Sequence, residues 1–333
     1  MNCVIFGAGA WGTAMALHLS RQGQTVTLVP RRLEQALALS SARENTDYLP
    51  GFKFDPSLQI GLEPLPALME ADILFLACPS KGLPALLSKI GPHVKNSSVR
   101  MAISLCKGLD QTTLKRPTEL MAEAFGSLPV ATLSGPSNAE EVARGLPTAL
   151  VLAAARADDT LREVQSAISG PSLRLYTSTD LPGVEIGSTL KNVYALGAGL
   201  CDGLKLGSNA KAAFLSRALQ EMLRLGEALG GRSETFLGLS GVGDLMATAH
   251  GAWSRNRALG EQIALNPKKA LGELAARREA VEGHRATETL YKLAKQRGVT
   301  TPILECLHAI LYQGLDPQAG VTALMTRDLK AEA

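Results

Sequence analysis

At 333 residues the chain is longer than one hydrophobic core usually serves, so two domains are expected. Hydrophobic residues make up 46% and charged residues 20%, a globular balance that excludes a mainly disordered chain. The net charge of +3 is small and scattered, with no basic repeat interleaved with aromatics, which argues against nucleic acid or an anionic membrane as partner.

In chain order, short apolar runs at Asn2 to Phe6, Thr25 to Val29, Asp72 to Cys78, Val99 to Leu105, Val130 to Leu133 and Thr148 to Leu152 alternate with helical patterns or loops. That rhythm predicts an α/β fold, a doubly wound (Rossmann) domain built on a parallel sheet. Leu173 to Thr177 reads as one last strand, after which a 3.6-residue period takes over. Phe214, Leu215, Ala218, Leu219, Met222 and Leu225 then form one apolar helical face. Pro302 to Tyr312 and Pro317 to Met325 read as helices with proline in the first turn, the second capped by Asp316. The reading is therefore a dinucleotide-binding Rossmann domain over 1–182, the boundary lying near Pro182 and Gly183, and an all-helical C-terminal domain over 183–333 for substrate binding and catalysis.

The nearly uncharged stretch from Val184 to Leu200 contains Glu185, Lys191 and Asn192, which would be costly in lipid. It reads as an interior helix, and no stable membrane insertion is expected. The opening MNCVIFGAGAWG enters a strand pattern at once, unlike a signal peptide or an anchor. Five dispersed cysteines without a C-x-x-C pair read as buried thiols in a reducing compartment, the cytoplasm. Five dispersed histidines give no metal-ligand spacing, so no metal is expected.

The first strand run is followed by Gly7-Ala8-Gly9-Ala10-Trp11-Gly12, a G-x-G-x-x-G, and then by a helix-forming run from Thr13 to Arg21. In such a turn the first glycine permits the tight bend, the second admits the backbone close to a pyrophosphate, and the third lets helix and strand pack closely. The diphosphate would rest on the helix N-terminus, where N–H groups and the dipole favour an anion. At the end of the second strand, Leu28-Val29-Pro30-Arg31-Arg32 offers two cations and no carboxylate before Glu34. A ribose 2′-phosphate is welcome there, so NADP(H) is favoured and NAD(H) is the alternative; solvated arginines are the bland reading.

Lys191 lies on a helix apolar on most sides, where an ammonium is either paired structurally, with Glu185 for example, or used to polarise a carbonyl and protonate a developing alkoxide. Gly238 to Asp244 forms a second glycine-rich segment that either presents Asp244 to a partner such as Lys191 or is a plain turn. Ser254-Arg255-Asn256-Arg257 opens another helix, with Ser254 as N-cap; it suits a phosphate dianion, or else is an exposed cap. Ser134-Gly-Pro-Ser137 and Cys106-Lys107-Gly108 follow strands at their carboxyl ends, where open α/β sheets bind ligands.

Taken together, GAGAWGTAMA at 7–16, CPSK at 78–81, KGL at 107–109, SGPS at 134–137, LKNVYALGAGLCDGL at 190–204, GSNAKAA at 207–213, GLSGVGDLMAT at 238–248, SRNR at 254–257 and VEG at 281–283 closely resemble the bacterial NAD(P)-dependent sn-glycerol-3-phosphate dehydrogenases. The resemblance implies reduction of dihydroxyacetone phosphate to sn-glycerol 3-phosphate, feeding glycerophospholipid synthesis, by a cytoplasmic enzyme that often forms a homodimer. It implies Lys191 as catalytic acid/base, with Asn192 beside it and Asp244 in the same polar network. Lys107, Gly135 and Ser137 would line the substrate pocket, and Ser254, Arg255 and Asn256 would hold the substrate phosphate. On the cofactor side Gly7, Gly9, Ala10, Trp11 and Gly12 would be joined by Arg31, Arg32, Lys107, Ala139, Val281 and Glu282, with Arg255 touching both ligands. The chain departs from the family pattern at Asn138, commonly aromatic, and at Cys78, commonly aliphatic. Two rival readings are another NAD(P)-dependent hydroxyacid or ketoacid reductase of similar plan, and a non-catalytic NADPH-sensing module.

Overall fold

The computed structural model describes residues 1–274, 281–329 and 331–332, and the chain divides into two compact units, Met1–Glu185 and Ile186–Ala333. In the first unit the order is β1 (Asn2–Phe6), α1 (Ala10–Arg21), β2 (Thr25–Val29), α2 (Leu33–Ala42), β3 (Glu44–Asn45), β4 (Leu49–Lys53), β5 (Gln59–Ile60), α3 (Pro64–Met69), β6 (Ile73–Leu76), α4 (Leu83–Val94), β7 (Met101–Ser104), α5 (Pro117–Phe125), β8 (Val130–Ser134), α6 (Ala139–Arg144), β9 (Thr148–Ala154), α7 (Asp159–Ile168) and β10 (Leu173–Ser178).

The main sheet runs β10-β9-β8-β7-β6-β1-β2-β5. Its strands alternate between two cores: Cys3, Ile5, Ile73 and Phe75 pack on one face, Val4, Phe6, Leu74 and Leu76 on the other. Side chains buried on both faces explain why these segments read as continuous apolar runs. The chain moves outward from β1 to β2 and β5, then returns to β6 on the other side of β1. The carboxyl ends of β1 and β6 thus border the crevice in which such sheets hold ligands.

One ladder corrects the expectation of a parallel sheet: β9 pairs antiparallel with β8, Leu133 lying opposite Leu152. The physical reason lies in α6, which at 6 residues is about 9 Å long, shorter than the roughly 16 Å of a five-residue strand. It cannot carry the chain back along the sheet, so β9 starts at the end where β8 finishes. The remaining ladders of the main sheet are parallel.

The boundary between units falls inside α8 (Leu181–Gly203), so Pro182 and Gly183 occupy a first helical turn rather than a linker. The second unit continues with α9 (Gly207–Ala228), α10 (Ser233–Phe236), α11 (Asp244–His250), α12 (Arg255–Leu265), α13 (Pro267–Gly272), α14 (Glu282–Gln296), α15 (Pro302–Tyr312) and α16 (Pro317–Met325). From Val184 to Leu200 every residue of α8 is buried, as its apolar circumference predicted. It meets α12 through paired glycines: a Cβ on Gly199 would come 1.9 Å from the Arg257 carbonyl oxygen, and one on Gly260 would come 2.0 Å from that of Leu196. Only bare backbone allows that approach. The buried Glu221 carboxylate accepts from Ile303 N at 2.9 Å and Leu304 N at 2.8 Å, closing the first turn of α15. No helix among the described residues is long and apolar enough to cross a membrane.

Candidate active site

The glycine turn after β1 has the shape its spacing predicts. Gly7 adopts φ +117°, and a Cβ there would come 2.6 Å from the Ala77 carbonyl oxygen. At Gly12 a Cβ would come 2.0 Å from the Gly7 carbonyl oxygen, so α1 packs directly on the turn. Among the described residues nothing lies within 4 Å of a Cβ built on Gly9, and no side chain caps the N-terminus of α1. A cradle of bare backbone at a helix N-terminus fits the diphosphate of a dinucleotide. The Trp11 indole Nε1 is buried with no hydrogen-bond partner among the described residues, a donor left for a ligand.

Two residues that carried no signal in the sequence brace this turn. The Ala8 carbonyl oxygen accepts from Asn45 Nδ2 and from Gln35 Nε2, each at 3.0 Å. Asn45, fully buried, also donates to Thr13 Oγ1 at 2.7 Å and so ties the turn to α1. Gly7 N donates to Val29 O at 2.9 Å, anchoring the other side. Arg31 and Arg32 are both exposed at the end of β2, and Arg32 is the N-cap residue of α2.

At the carboxyl ends of β7 and β8 the structure joins three expected substrate residues. Lys107 Nζ donates to the Gly135 carbonyl oxygen at 3.2 Å, and Ser137 Oγ donates to the same oxygen at 2.9 Å. Asn138 has a local role: its side chain accepts from Glu141 N at 3.0 Å and caps α6, which begins at Ala139.

In the second unit α8 presents Lys191 and Asn192. Lys191 is 5% exposed and Asp244 1%, and Lys191 Nζ donates to Asp244 Oδ1 at 3.0 Å. The same ammonium donates to Thr248 Oγ1 at 2.8 Å, whose hydroxyl donates to the Asp244 carbonyl oxygen at 2.7 Å. Asp244 is delivered by a π-helical turn, Leu239–Gly243, which leads straight into α11. Beside the pair, Asn192 Oδ1 accepts from Asn256 Nδ2 at 2.8 Å, and Asn256 Oδ1 accepts from Gly283 N at 2.8 Å. Four separate sequence segments are thereby held together: the lysine helix, the glycine-rich 238–248 stretch, the start of α12 and the 281–283 stretch. Val281 and Glu282 sit at the start of α14.

Ser254 is the N-cap of α12, accepting from Arg257 N at 3.2 Å, and Arg255 follows it exposed. Arg257 is engaged within the unit, its Nε donating to Asp202 Oδ2 at 2.7 Å.

The sequence left Glu185 and Asp244 open as partners of Lys191, and the ion pair that the structure shows is with Asp244. Glu185 accepts from Thr118 N at 3.0 Å, Thr118 Oγ1 at 2.5 Å and Arg116 at 3.1 Å. Burial pushes its carboxyl up to about 7 despite those three donors. Thr248 was missed as a site residue, although it stands in the quoted 238–248 motif, four residues after Asp244 on a helix. Among the described residues no group of three or more His, Cys, Asp or Glu could hold a metal ion.

Comparison with known proteins shows the family. The family models for the N-terminus and the C-terminus of NAD-dependent glycerol-3-phosphate dehydrogenase match residues 2–160 and 180–322. A glycerol-3-phosphate dehydrogenase (NAD(P)+) of Thermus thermophilus is 45% identical over 334 residues, covering 100% of both chains. One from Salinibacter ruber is 43% identical over 99% of this chain and 97% of its own. The crystal structure of glycerol-3-phosphate dehydrogenase from Coxiella burnetii superposes with a TM-score of 0.91 at 34% identity, covering 98% of each chain. With both family models matched in order and relatives this similar along its whole length, the chain belongs to the NAD-dependent glycerol-3-phosphate dehydrogenase family, oxidoreductases that use a nicotinamide dinucleotide.

Proposed function

We propose that the chain reduces dihydroxyacetone phosphate to sn-glycerol 3-phosphate, reversibly, with Lys191 as the proton donor. The observation that carries this reading is the buried pair of Lys191 and Asp244, fixed by Thr248 and flanked by the Asn192 to Asn256 to Gly283 relay. The dinucleotide, when bound, supplies the hydride to C2 of the triose. Lys191 polarises the C2 carbonyl and gives its proton to the oxygen as negative charge develops there. In the reverse direction the neutral amine takes the proton of the C2 hydroxyl. Asp244 favours the ammonium form and Thr248 directs it, so proton transfer needs no search by the side chain.

Substrate recognition follows from the remaining groups. Ser254, Arg255 and Asn256, at the start of α12, hold the phosphate through charge-assisted hydrogen bonds and the helix terminus. Lys107, Gly135 and Ser137 border the triose. Gly7, Gly9, Ala10, Trp11 and Gly12 hold the dinucleotide diphosphate, and Lys107, Ala139, Arg255, Val281 and Glu282 belong to the cofactor-binding set of the same reading. Arg31 and Arg32 receive a ribose 2′-phosphate, which favours NADP(H) over NAD(H). The first unit is thus the dinucleotide-binding domain and the second the substrate domain. The same reading makes the protein a cytoplasmic homodimer in glycerophospholipid supply, its mass in solution being measurable by light scattering.

Following NADPH and NADH absorbance with dihydroxyacetone phosphate and with unphosphorylated dihydroxyacetone tests the proposal. Rapid oxidation of NADPH by the phosphorylated ketone is expected, with the unphosphorylated one slower by orders of magnitude. Equal rates with both ketones would point to another ketone reductase; cofactor binding without consumption would point to a sensing module.

A further inference from the structure

Two thiols stand side by side at the edge of the dinucleotide crevice. Cys78 and Cys106 lie two residues beyond β6 and β7 respectively, and the parallel register that sets Leu76 against Ser104 sets 78 against 106 when carried on. Neighbouring strands run about 4.8 Å apart, inside the Cα separation that a disulfide spans. The two sulfurs are 3.9 Å apart, and Cys106 Sγ also donates to the Cys78 carbonyl oxygen at 3.0 Å. Bonding them requires an approach of about 2 Å. Cys78 is half-buried and Cys106 is 6% exposed, so a small oxidant from solvent meets Cys78 first. Burial pushes the Cys3 thiol up to about 12 and those of Cys201 and Cys306 to about 11, which makes these three weak nucleophiles.

The position of the pair gives the bond a consequence. A Cβ on Gly7 would come 2.6 Å from Ala77 O and 3.1 Å from Cys78 N, so the 77–78 peptide is the wall against which the glycine turn is built. Drawing Cys78 toward Cys106 moves that wall.

We propose that Cys78 and Cys106 are a thiol pair oxidised by hydroperoxides to a disulfide that deforms the glycine turn and weakens dinucleotide binding. The Cys78 sulfur attacks one peroxide oxygen, the O–O bond breaks, one water leaves and Cys78 becomes a sulfenic acid. The Cys106 sulfur then attacks that sulfur, the S–O bond breaks and a second water leaves. Two thiols and one hydrogen peroxide thus give one disulfide and two waters, the sulfurs losing two electrons and the peroxide gaining them. By reciprocity, a bound dinucleotide disfavours the bond at equilibrium by the same factor. The effect on binding rests on the functional reading above, whereas formation of the bond does not.

The test uses the full chain, reduced, then treated with hydrogen peroxide with or without NADPH, alkylated under denaturing conditions and weighed. Two fewer alkylated thiols than the five of the reduced chain are expected, with a linked peptide joining residues 78 and 106. NADPH affinity, read by fluorescence titration, should weaken on the order of tenfold and return with dithiothreitol. In a dithiothreitol redox buffer excess NADPH should shift the disulfide toward the reduced pair by the same factor, and Cys106→Ala should keep its affinity through the peroxide treatment. Five alkylated thiols after oxidation, a link through other cysteines, or a 78–106 link with unchanged NADPH affinity would each overturn the proposal. Reduced protein that binds no NADPH at all would sink the functional reading, while the thiol count would still decide whether the bond forms.

Discussion

Taking an ammonium out of water costs several kcal/mol unless partners replace its hydration, and around Lys191 those partners are Asp244 and Thr248. Lys191→Ala is expected to lower kcat by about 10²- to 10⁴-fold while NADPH affinity stays near normal. It should also cost about 3–5 kcal/mol of stability, because Asp244 is left buried without its cation. Lys191→Arg separates the two effects: it keeps a cation beside Asp244 but is a poor proton donor, so stability should largely return and turnover should not. Steady-state kinetics and urea midpoints measure both, and near-normal kcat in either variant would remove Lys191 as the donor. The importance of Lys191 was legible in the sequence as a cation in an apolar helix. Its partner was legible only as a choice between Asp244 and Glu185, and helix geometry weighs against Glu185, since residues six apart on a helix do not share a face. Asp244 is 53 residues away, and only the fold brings it near.

At the scale of elements, what was legible depended on whether the determinant was local. The starts of α15 and α16 follow from proline in the first turn, and Asp316 does cap α16, accepting from Ala319 N at 3.0 Å. The direction of β9 and the two-residue β3, which delivers Asn45 to the glycine turn, had no local signature, because strand direction and pairing are decided by partners elsewhere. The α8–α12 crossing is of the second kind, yet the proposed phosphate clamp depends on it. Gly260→Ala would drive a Cβ to 2.0 Å from Leu196 O and 2.8 Å from Leu200 N. The helices must part, at a cost of about 1–3 kcal/mol, and the Asn192–Asn256 hydrogen bond should lengthen or break. Higher KM for dihydroxyacetone phosphate with a smaller change in kcat is the expected signature. Gly272→Ala, where a Cβ meets nothing within 4 Å among the described residues, serves as control and should be neutral or slightly stabilising. Equal kinetics in the two variants would show that the glycine crossing does not position the clamp.

For the whole molecule, the buried carboxyl of Glu185 makes stability depend on pH in a direction opposite to the usual paired carboxylate. Its value of about 7 lies above the ordinary 4.5, because burial outweighs the help of Thr118 and Arg116. Such a group contributes fully to the fold below 4.5 and loses that contribution as pH rises through about 7. The loss from this one site is on the order of 3 kcal/mol by the alkaline end. His18 acts in the other sense: burial lowers its pKa while its Nε2 lies 2.6 Å from the Ile168 carbonyl oxygen, so its contribution is lost as pH falls. A single pH–stability curve therefore mixes both, and a difference is needed. Glu185→Gln keeps an acceptor for Thr118 N but does not ionise, and His18 is common to both proteins. Urea midpoints of the wild type and Glu185→Gln, taken from pH 4.5 to 8.5, should diverge, the wild type losing ground as the pH rises and the gap levelling off once Glu185 is ionised. Curves that stay parallel across that range would mean that Glu185 keeps one protonation state throughout, its ion pair with Arg116 having overcome the cost of burial.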